Sequence, residues 1–277
     1  MNIVTLTTDI GQQDYFVGAI KGQLLSLNPN LTIVDITHYL THSNFPEAAY
    51  ICKNAFKEFP EKTIHIIILN FFENKSDNLL LAEYKGQYII CADNGILTML
   101  SNNLPIKIYA IPINHADNFL AHTKKIATII KDVTSGIPIE KIATPTTSYI
   151  TKNSLRPTIF KDSIKGLIIF IDNFENVVTN ITKEDFDSVH KGRKFKIEFA
   201  RGEGVEVIST NYLSVHEGEK LAWFNSAGHL ELAINKGNLA GLFGLEGFNE
   251  INYQQGKSMQ NKIFYTPLLI NFEPSGL

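Results

Sequence analysis

The residues Ile3-Val4-Thr5-Leu6-Thr7-Thr8-Asp9-Ile10-Gly11 decide the fold of the N-terminal half of the chain. An apolar, β-rich run ends here in a polar turn, and residues 15–28 then carry apolar side chains at helical spacing. The helix is expected to stop at Asn28-Pro29, because proline cannot continue it. A strand, a polar turn and an amphipathic helix in this order are typical of βαβ units around a parallel sheet.

Strands and amphipathic helices continue to alternate up to about residue 150. The further predicted elements are strands at 31–36, 63–69, 88–91 and 106–111 and helices at 46–59 and 124–135. The N-terminal part is therefore predicted to be an α/β domain with a largely parallel sheet.

The pattern changes in a Pro/Thr/Ser stretch that begins near Thr144 and runs to Pro157, because few of its side chains could build a core. Beyond it the sequence predicts only short strands, at 166–171, 194–199, 205–209, 221–225, 229–234 and 250–253. Regularly spaced short strands without helices indicate a small all-β barrel or sandwich. The predicted organisation is an α/β domain over residues 1–150, a linker over 151–160 and a C-terminal β-barrel domain over 161–277.

Charge and composition exclude several classes of protein. The 25 Lys and Arg residues against 28 Asp and Glu give a formal charge of −3 without a basic block, which disfavours nucleic-acid binding. The longest apolar runs are far shorter than the ~20 residues of a membrane span, and the N-terminus lacks the features of a secretory signal, so a cytoplasmic protein is expected. The two cysteines, Cys52 and Cys91, lack the spacing of a zinc site or a redox pair.

Polar residues at strand ends are the candidate functional residues, since ligands of open α/β sheets bind there and common catalytic motifs such as Gly-x-Ser-x-Gly and His-Glu-x-x-His are absent. Asp9 directly follows the first strand. Its carboxylate could accept hydrogen bonds from a sugar diol, or it could cap the first helix, which is the commoner role. His38 is interpreted either as a base or, more commonly for such a residue, as a structural histidine held by Asp35.

A second polar cluster follows the predicted strand at 166–171. Residues 172–180 read Asp-Asn-Phe-Glu-Asn-Val-Val-Thr-Asn, which places three Asn and one Asp within nine residues. A turn alone does not need so many amide groups. They could satisfy the donor and acceptor edges of a purine, or the ammonium and carboxylate of an amino acid.

Five segments carry a pattern shared with one protein family. In chain order they are Leu6-Thr7-Thr8-Asp9-Ile10-Gly11, Val34-Asp35-Ile36-Thr37-His38, Ala92-Asp93-Asn94-Gly95, Ile171-Asp172-Asn173-Phe174-Glu175-Asn176 and Asn225-Ser226-Ala227-Gly228. Together they resemble the S-adenosylmethionine hydroxide adenosyltransferases, which are related to the adenosyl fluoride and chloride synthases. The resemblance implies an N-terminal α/β domain and a C-terminal β-barrel, in a homotrimer with ligand sites between adjacent subunits.

The resemblance also implies a chemistry, in which water or a halide attacks the 5′ carbon of S-adenosylmethionine and methionine leaves. No cofactor or metal is implied, and the small molecule bound is S-adenosylmethionine or adenosine. The substrate-binding residues implied by position are Asp9, Asp172, Phe174, Asn176, Tyr212 and Ser226.

Five of these residues have an implied task. Asp9 would hold the ribose hydroxyls, and Asn176 with the backbone near it would read the adenine edge. Tyr212 would stack on adenine. Asp172 and Ser226 would hold the ammonium and carboxylate of the methionine part.

The chain departs from the hydrolytic members of the family, in which an Asp, an Arg and a His together orient the attacking water. Asn70 stands at the position of that Asp, and Lys125 stands at the position of that His. An amide cannot carry the negative charge that would polarise water, and a lysine is mostly protonated. The predicted catalytic residues are therefore Asn70, Lys125 and Glu73, with Glu73 as the base of a rebuilt water site.

Three functions follow from these observations. The first is an enzyme that hydrolyses S-adenosylmethionine to adenosine and L-methionine. The second is a catalytically degenerate relative that binds adenosine or S-adenosylmethionine as a sensor or interaction module. The third is a halide-using adenosyltransferase, in which Phe71-Phe72 would wall a dry anion pocket and the charge of Glu73 would oppose the anion.

Overall fold

The computed structural model describes residues 2–71, 77–101, 107–200, 202–247 and 267–274. The chain divides into two compact units, residues 1–154 and residues 155–277. Among the described residues, the helices are too short or too polar to cross a lipid bilayer.

The first unit alternates strands and helices. Its elements are β1 (Asn2–Thr8), α1 (Phe16–Leu27), β2 (Leu31–Thr37), α2 (Phe45–Phe56), β3 (Ile64–Ile68), β4 (Asn78–Tyr84), β5 (Gln87–Ala92), α3 (Ile96–Ser101), β6 (Lys107–Pro112), α4 (Phe119–Thr134) and β7 (Thr144–Pro145). Helix α4 begins five residues before its predicted start, because the Asn118 side chain caps it by accepting a hydrogen bond from the backbone of Ala121.

A seven-stranded sheet with the order β2-β1-β3-β5-β4-β6-β7 organises the first unit. The pairs among β2, β1, β3 and β5 are parallel, and the remaining pairs are antiparallel. The predicted α/β domain is confirmed, and its sheet is mixed and only partly parallel. The antiparallel half begins at β4. After this strand the chain reverses in the turn Lys85-Gly86, where both residues have positive φ, and continues as β5 beside it.

Apolar layers cover both faces of this sheet. On one face Ile20 of α1 and Ile130 of α4 are buried in the same cluster as Leu6 of β1. On the other face Phe56 of α2 and Leu97 of α3 belong to a second buried cluster. Because helices cover both faces, the strands are buried on both sides and their carboxyl ends remain as the accessible edge.

His65 is a buried polar exception in the middle of β3. Its Nδ1 lies 2.7 Å from the hydroxyl of Thr5 on β1, and its ring stacks on Phe56 with centroids 3.7 Å apart. The imidazole is fully buried, and within the described residues its Nε2 has no hydrogen-bond partner. Burial lowers the pKa of His65 to about 4, so the ring is neutral in the folded protein at neutral pH.

Acidification is expected to destabilise the protein through His65. The unfolded chain takes up this proton near pH 6.5, whereas the folded chain resists it down to about pH 4, so stability falls as the pH drops between these values. From pH 7 to pH 5 the loss from this group is about 2 kcal/mol. Urea unfolding at pH 7 and at pH 5 measures this loss of stability. In the double variant Thr5→Val/His65→Leu, which lacks both polar partners, the loss should be smaller by that amount than in the unmodified protein. Equal losses in the two proteins would contradict the prediction.

The second unit consists mainly of antiparallel strands. Its elements are β8 (Thr158–Ile159), β9 (Ser163–Ile171), β10 (Val177–Thr182), α5 (Lys183–His190), β11 (Phe195–Ala200), β12 (Glu203–Val205), β13 (Lys220–Phe224), β14 (His229–Ile234), α6 (Leu239–Phe243) and β15 (Pro267–Phe272), with a 3₁₀ turn at Tyr212–Ser214. The strand predicted at 250–253 lies outside the described residues.

The strands of the second unit form a nearly closed barrel, as predicted. Their order is β12-β11-β15-β9-β10-β14-β13, with β8 paired to β9. The two ends of this sheet approach each other, because Ile208, shortly after β12, forms a bridge with Ala222 of β13. The core of the barrel includes Ile168, Leu232 and Ile270, all fully buried.

Candidate active site

A cavity of about 400 Å³ lies at the carboxyl ends of β1 and β3 in the first unit. Asp9, Ile10, Phe16, His42, Ile68, Asn70, Phe71 and Phe119 line it. The three phenylalanines form one aromatic group, since Phe119 contacts Phe16 and Phe71 edge to face at centroid distances of 5.1 and 5.9 Å. Most of the wall is therefore apolar, and Asp9 is its one carboxylate among the described residues.

The carboxylate of Asp9 is nearly buried at this cavity, with a side chain only 6% exposed. Its Oδ2 accepts a hydrogen bond from the backbone N–H of Asn70 at 2.8 Å and lies 3.1 Å from Nδ1 of His42. A buried carboxylate is costly without donors, and these two contacts use only one of its oxygens. Asp9 does not cap α1, because the residue that precedes this helix is Tyr15, without a side-chain cap.

Asn70 follows β3 in a left-handed backbone conformation, with φ of 50°. This conformation turns its N–H toward Asp9, and asparagine tolerates it better than most residues do. Asn94 supports the same corner by donating its side-chain N–H to the carbonyl of Leu69 at 2.7 Å. Asn70 was predicted as a catalytic residue, and the structure brings it to the cavity beside Asp9.

His38 lies in the interior, away from the cavity lining. Its side chain is 1% exposed, with Nδ1 3.0 Å from the hydroxyl of Thr8 and Nε2 3.2 Å from Asp35. Burial acts to raise the pKa of Asp35, but the hydrogen bond and charge of Lys21, together with the neighbouring imidazole of His38, outweigh it and lower that pKa below its ordinary value. These contacts favour the structural interpretation of His38 over the base.

Lys125, another predicted catalytic residue, is not part of this cavity lining. Lys125 is exposed on α4 and donates a hydrogen bond to the carbonyl of Pro112. It stands six residues after Phe119, which corresponds to about 240° around the helix, so the two side chains point to different sides. Glu73 lies outside the described residues.

A second polar site follows β9 in the second unit. Oδ1 of Asp172 accepts hydrogen bonds from the backbone of Phe174 at 2.8 Å and of Asn176 at 2.9 Å, and Oδ2 accepts one from Nδ2 of Asn176 at 3.0 Å. Glu175 between them adopts positive φ, 61°, which closes the turn. The predicted residues Asp172 and Asn176 are thus in direct contact, whereas the ring of Phe174 is 76% exposed.

Glu231 of β14 organises the other side of this polar site. Its Oε1 accepts hydrogen bonds from the hydroxyl of Tyr212 and from Nε1 of Trp223, the latter at 3.0 Å, and its Oε2 accepts one from Nδ2 of Asn225 at 3.0 Å. Burial and the neighbouring Glu231 raise the pKa of Tyr212 above its ordinary value, so the phenol keeps its proton and donates it.

Tyr212 connects the two halves of the polar site. Its hydroxyl also accepts a hydrogen bond from Nδ2 of Asn176 at 3.2 Å. Both hydrogens of the Asn176 amide are therefore engaged, by Asp172 and by Tyr212, and among the described residues the carbonyl Oδ1 is the atom left for a ligand. Ser226 is exposed in the turn between β13 and β14, next to Asn225, and does not join this network.

The sequence interpretation assigned no role to several residues of these sites, among them His42, Phe119 and Glu231. Local sequence does not reveal their roles, because each contacts a partner more than five residues away in the chain. His42 meets Asp9 across 33 positions, and Glu231 meets Tyr212 across 19. The one usable signal was for Phe119, an aromatic residue directly after the helix-capping residue Asn118.

Comparisons with known proteins bear on both units. A family described as "SAM hydroxide adenosyltransferase N-terminal domain" matches residues 4–143, and its C-terminal counterpart matches residues 166–252. The (R)-S-adenosyl-L-methionine hydrolase of Methanocaldococcus jannaschii is 25% identical over 270 residues, with 91% of this chain and 95% of that protein covered. A fluorinase of Actinoplanes sp. is 24% identical over 277 residues, with 86% and 92% covered.

Solved structures agree on the fold. An uncharacterized conserved protein from Thermotoga maritima superposes with a TM-score of 0.79 at 24% identity, with 97% of this chain and 99% of that chain covered. At this identity the likeness concerns the fold alone. Because the family match covers about half of the chain through its N-terminal domain and extends into the second unit, this protein belongs to the SAM hydroxide adenosyltransferase family.

Proposed function

We propose that this protein hydrolyses S-adenosylmethionine to adenosine and L-methionine. The oxygen of a water molecule bonds to the 5′ carbon, the bond from that carbon to the sulfonium breaks, and its electron pair leaves with methionine as a thioether. The water loses one proton to a base or to solvent. Positioning and desolvation supply most of the acceleration, because the sulfonium is already a good leaving group.

The observation that carries this proposal is the carboxylate of Asp9, 6% exposed and set in a cavity of otherwise mostly apolar wall. Such a carboxylate favours a ligand that brings hydroxyl donors, as the ribose diol does. The rings of Phe16, Phe71 and Phe119 provide apolar surface on which little water is retained. The volume of about 400 Å³ is in the range of small-molecule sites.

The second unit provides groups suited to the other parts of the ligand. We assign the Asn176 carbonyl to the exocyclic amine of adenine, because its Oδ1 is the acceptor that the hydrogen bonds among the described residues leave available. Tyr212 and the exposed ring of Phe174 are proposed to contact the purine. Asp172 with Ser226 is proposed to hold the methionine ammonium and carboxylate, although Asp172 must share oxygens that already accept three hydrogen bonds.

The proposed water site combines Asn70 with Glu73. The side-chain amide of Asn70 can orient water but cannot take its proton, so Glu73 is proposed as the base. A role for Lys125 in this site requires a conformation other than its contact with Pro112. The homotrimer with sites between subunits also stays a prediction.

Incubation of the purified full-length chain with S-adenosylmethionine in water enriched in ¹⁸O tests the function. We expect adenosine and methionine to accumulate faster than in buffer alone, and the 5′ hydroxyl of adenosine to contain one ¹⁸O atom. Liquid chromatography with mass spectrometry measures both products. Unlabelled adenosine, or a rate equal to that of buffer, would reject hydrolysis at the 5′ carbon.

The same assay separates the two alternative functions. The sensor is favoured by one specific observation, since the described cavity lining offers only Asp9 and His42 as titratable groups. Binding of S-adenosylmethionine without turnover would support that function. Formation of 5′-chloro-5′-deoxyadenosine when chloride is added would instead support a halide-using enzyme.

A further inference from the structure

His42 forms a carboxylate–imidazole pair with Asp9 at the rim of the cavity. The two side chains differ sharply in exposure, 77% for His42 and 6% for Asp9, while Nδ1 and Oδ2 lie 3.1 Å apart. Among the described residues these two are the only titratable groups that line the cavity. The exposed ring of His42 therefore contacts a carboxylate of the candidate active site. This position distinguishes the His42–Asp9 pair from an ordinary surface ion pair.

The backbone directly before His42 is anchored. The N–H of Leu40 donates to the carbonyl of Thr8, one residue before Asp9, at 3.1 Å. The N–H of Thr41 donates to Glu47 of α2 at 3.2 Å, and the same carboxylate accepts a hydrogen bond from Asn44 at 2.8 Å. The loop that presents the imidazole is thereby connected both to the strand that ends at Asp9 and to helix α2.

The loop after β1 is connected to the loop after β2 by further contacts. The N–H of Gly11 donates to the carbonyl of His38 at 2.7 Å, in a conformation with φ of 71° that favours glycine. The hydroxyl of Thr8 lies 3.0 Å from Nδ1 of His38. The hydrogen bond from Leu40 to Thr8 adds a further link between these loops, which carry Asp9 and His42. The two loops therefore cannot move apart without breaking several hydrogen bonds.

We infer that His42 is a positioning residue for Asp9, which makes this carboxylate selective for the vicinal hydroxyls of a ribose. This inference rests on the proposed function. Nδ1 of His42 and the N–H of Asn70 both act on Oδ2, and among the described residues Oδ1 has no hydrogen-bond partner. The pair thus fixes the rotation of the carboxylate and leaves Oδ1 to accept the diol.

Removal of the imidazole changes the carboxylate in a defined way. Among the described residues, Asp9 would keep a single donor, the backbone of Asn70, and its carboxyl group could rotate about the bond that attaches it. Binding of a diol must then fix that rotation, which weakens affinity. Ligands without ribose hydroxyls do not use Oδ1 and are expected to be insensitive to the change. The effect is therefore specific to one part of the ligand.

Calorimetric titration with adenosine and with 2′,3′-dideoxyadenosine tests the inference. For the unmodified protein we expect adenosine to bind more tightly than the dideoxy compound. His42→Ala should weaken adenosine binding about tenfold and leave the dideoxy affinity unchanged. His42→Asn, whose side-chain amide N–H can replace Nδ1–H, should retain adenosine affinity within about threefold of the unmodified protein.

His115→Ala is the matched control, because Nε2 of His115 pairs with Asp77 at 2.7 Å on an exposed surface outside the cavity lining. It should change neither affinity. Unchanged adenosine affinity in His42→Ala, or equal losses for both ligands, would overturn the positioning role while the proposed function stands. If the unmodified protein binds neither ligand, the proposed function fails and the inference fails with it.

Discussion

Asp9→Asn is expected to lower kcat/KM for S-adenosylmethionine by about 100-fold or more. The carboxylate is proposed to accept hydrogen bonds from both ribose hydroxyls, and each hydrogen bond to a charged group contributes about 1.5–3 kcal/mol. The amide has the same shape but one acceptor oxygen and no charge. In the variant, the amide oxygen must accept the hydrogen bond from the N–H of Asn70. The amide NH₂, which is a donor, then faces the ligand in place of an acceptor.

Steady-state rates of adenosine formation for Asp9→Asn and for the unmodified protein measure this effect. Asp77→Asn provides the control, because the side chain of Asp77 is 83% exposed and also pairs with a histidine. It should remain within about twofold of the unmodified protein. Thermal unfolding of both variants confirms that they fold. A rate for Asp9→Asn within threefold of the unmodified protein would exclude Asp9 from ribose binding.

Glu231→Ala is expected to lower the free energy of unfolding by about 3–5 kcal/mol, since three neutral donors lose their shared acceptor and each donor left unsatisfied costs about 1–3 kcal/mol. The side chain is buried and accepts hydrogen bonds from Tyr212, Trp223 and Asn225. These donors come from β13, from the residue after it and from the 3₁₀ turn at Tyr212–Ser214. Glu231 therefore joins separate segments of the barrel.

Urea unfolding followed by tryptophan fluorescence reports on this change directly, because the single Trp of the chain, Trp223, contacts Glu231. Glu217→Ala is the matched control in the same unit, as Glu217 is 69% exposed and pairs only with the exposed Lys236 among described residues. It should cost less than about 1 kcal/mol. A loss for Glu231→Ala as small as that of the control would show that the network contributes little to stability.

The first strand, the polar turn and the first helix were predictable because each depends on neighbouring residues. The apolar run around Val4 and the helical spacing of Ile20 and Leu24 are local patterns, and all three side chains are buried in one cluster. Strand β4 was not predicted. It is inserted antiparallel between β5 and β6, and its place in the sheet depends on strands that are distant in sequence.

The residues of the candidate sites also divide into those that a local pattern predicts and those that depend on segments distant in sequence. Asp172 and Asn176 were recognised together because four positions separate them and one turn brings them into contact. Asp9 was recognised as a strand-end carboxylate, yet its partners His42 and Asn70 lie 33 and 61 positions away. Asn70 was selected only through a family resemblance, and His42 had no signal at all.

The amino-acid sequence by itself determined the two kinds of domain, the family and the residues that end strands with a carboxylate or an amide. These properties follow from hydrophobic periodicity and turn chemistry, which act over a few residues. Only the tertiary structure decided which oxygen of Asp9 remains available, that His42 rather than Lys125 reaches the cavity lining, and that Glu231 holds Tyr212. Hydrogen-bond directions and side-chain rotation around a helix depend on packing between distant segments, and no local pattern contains that information.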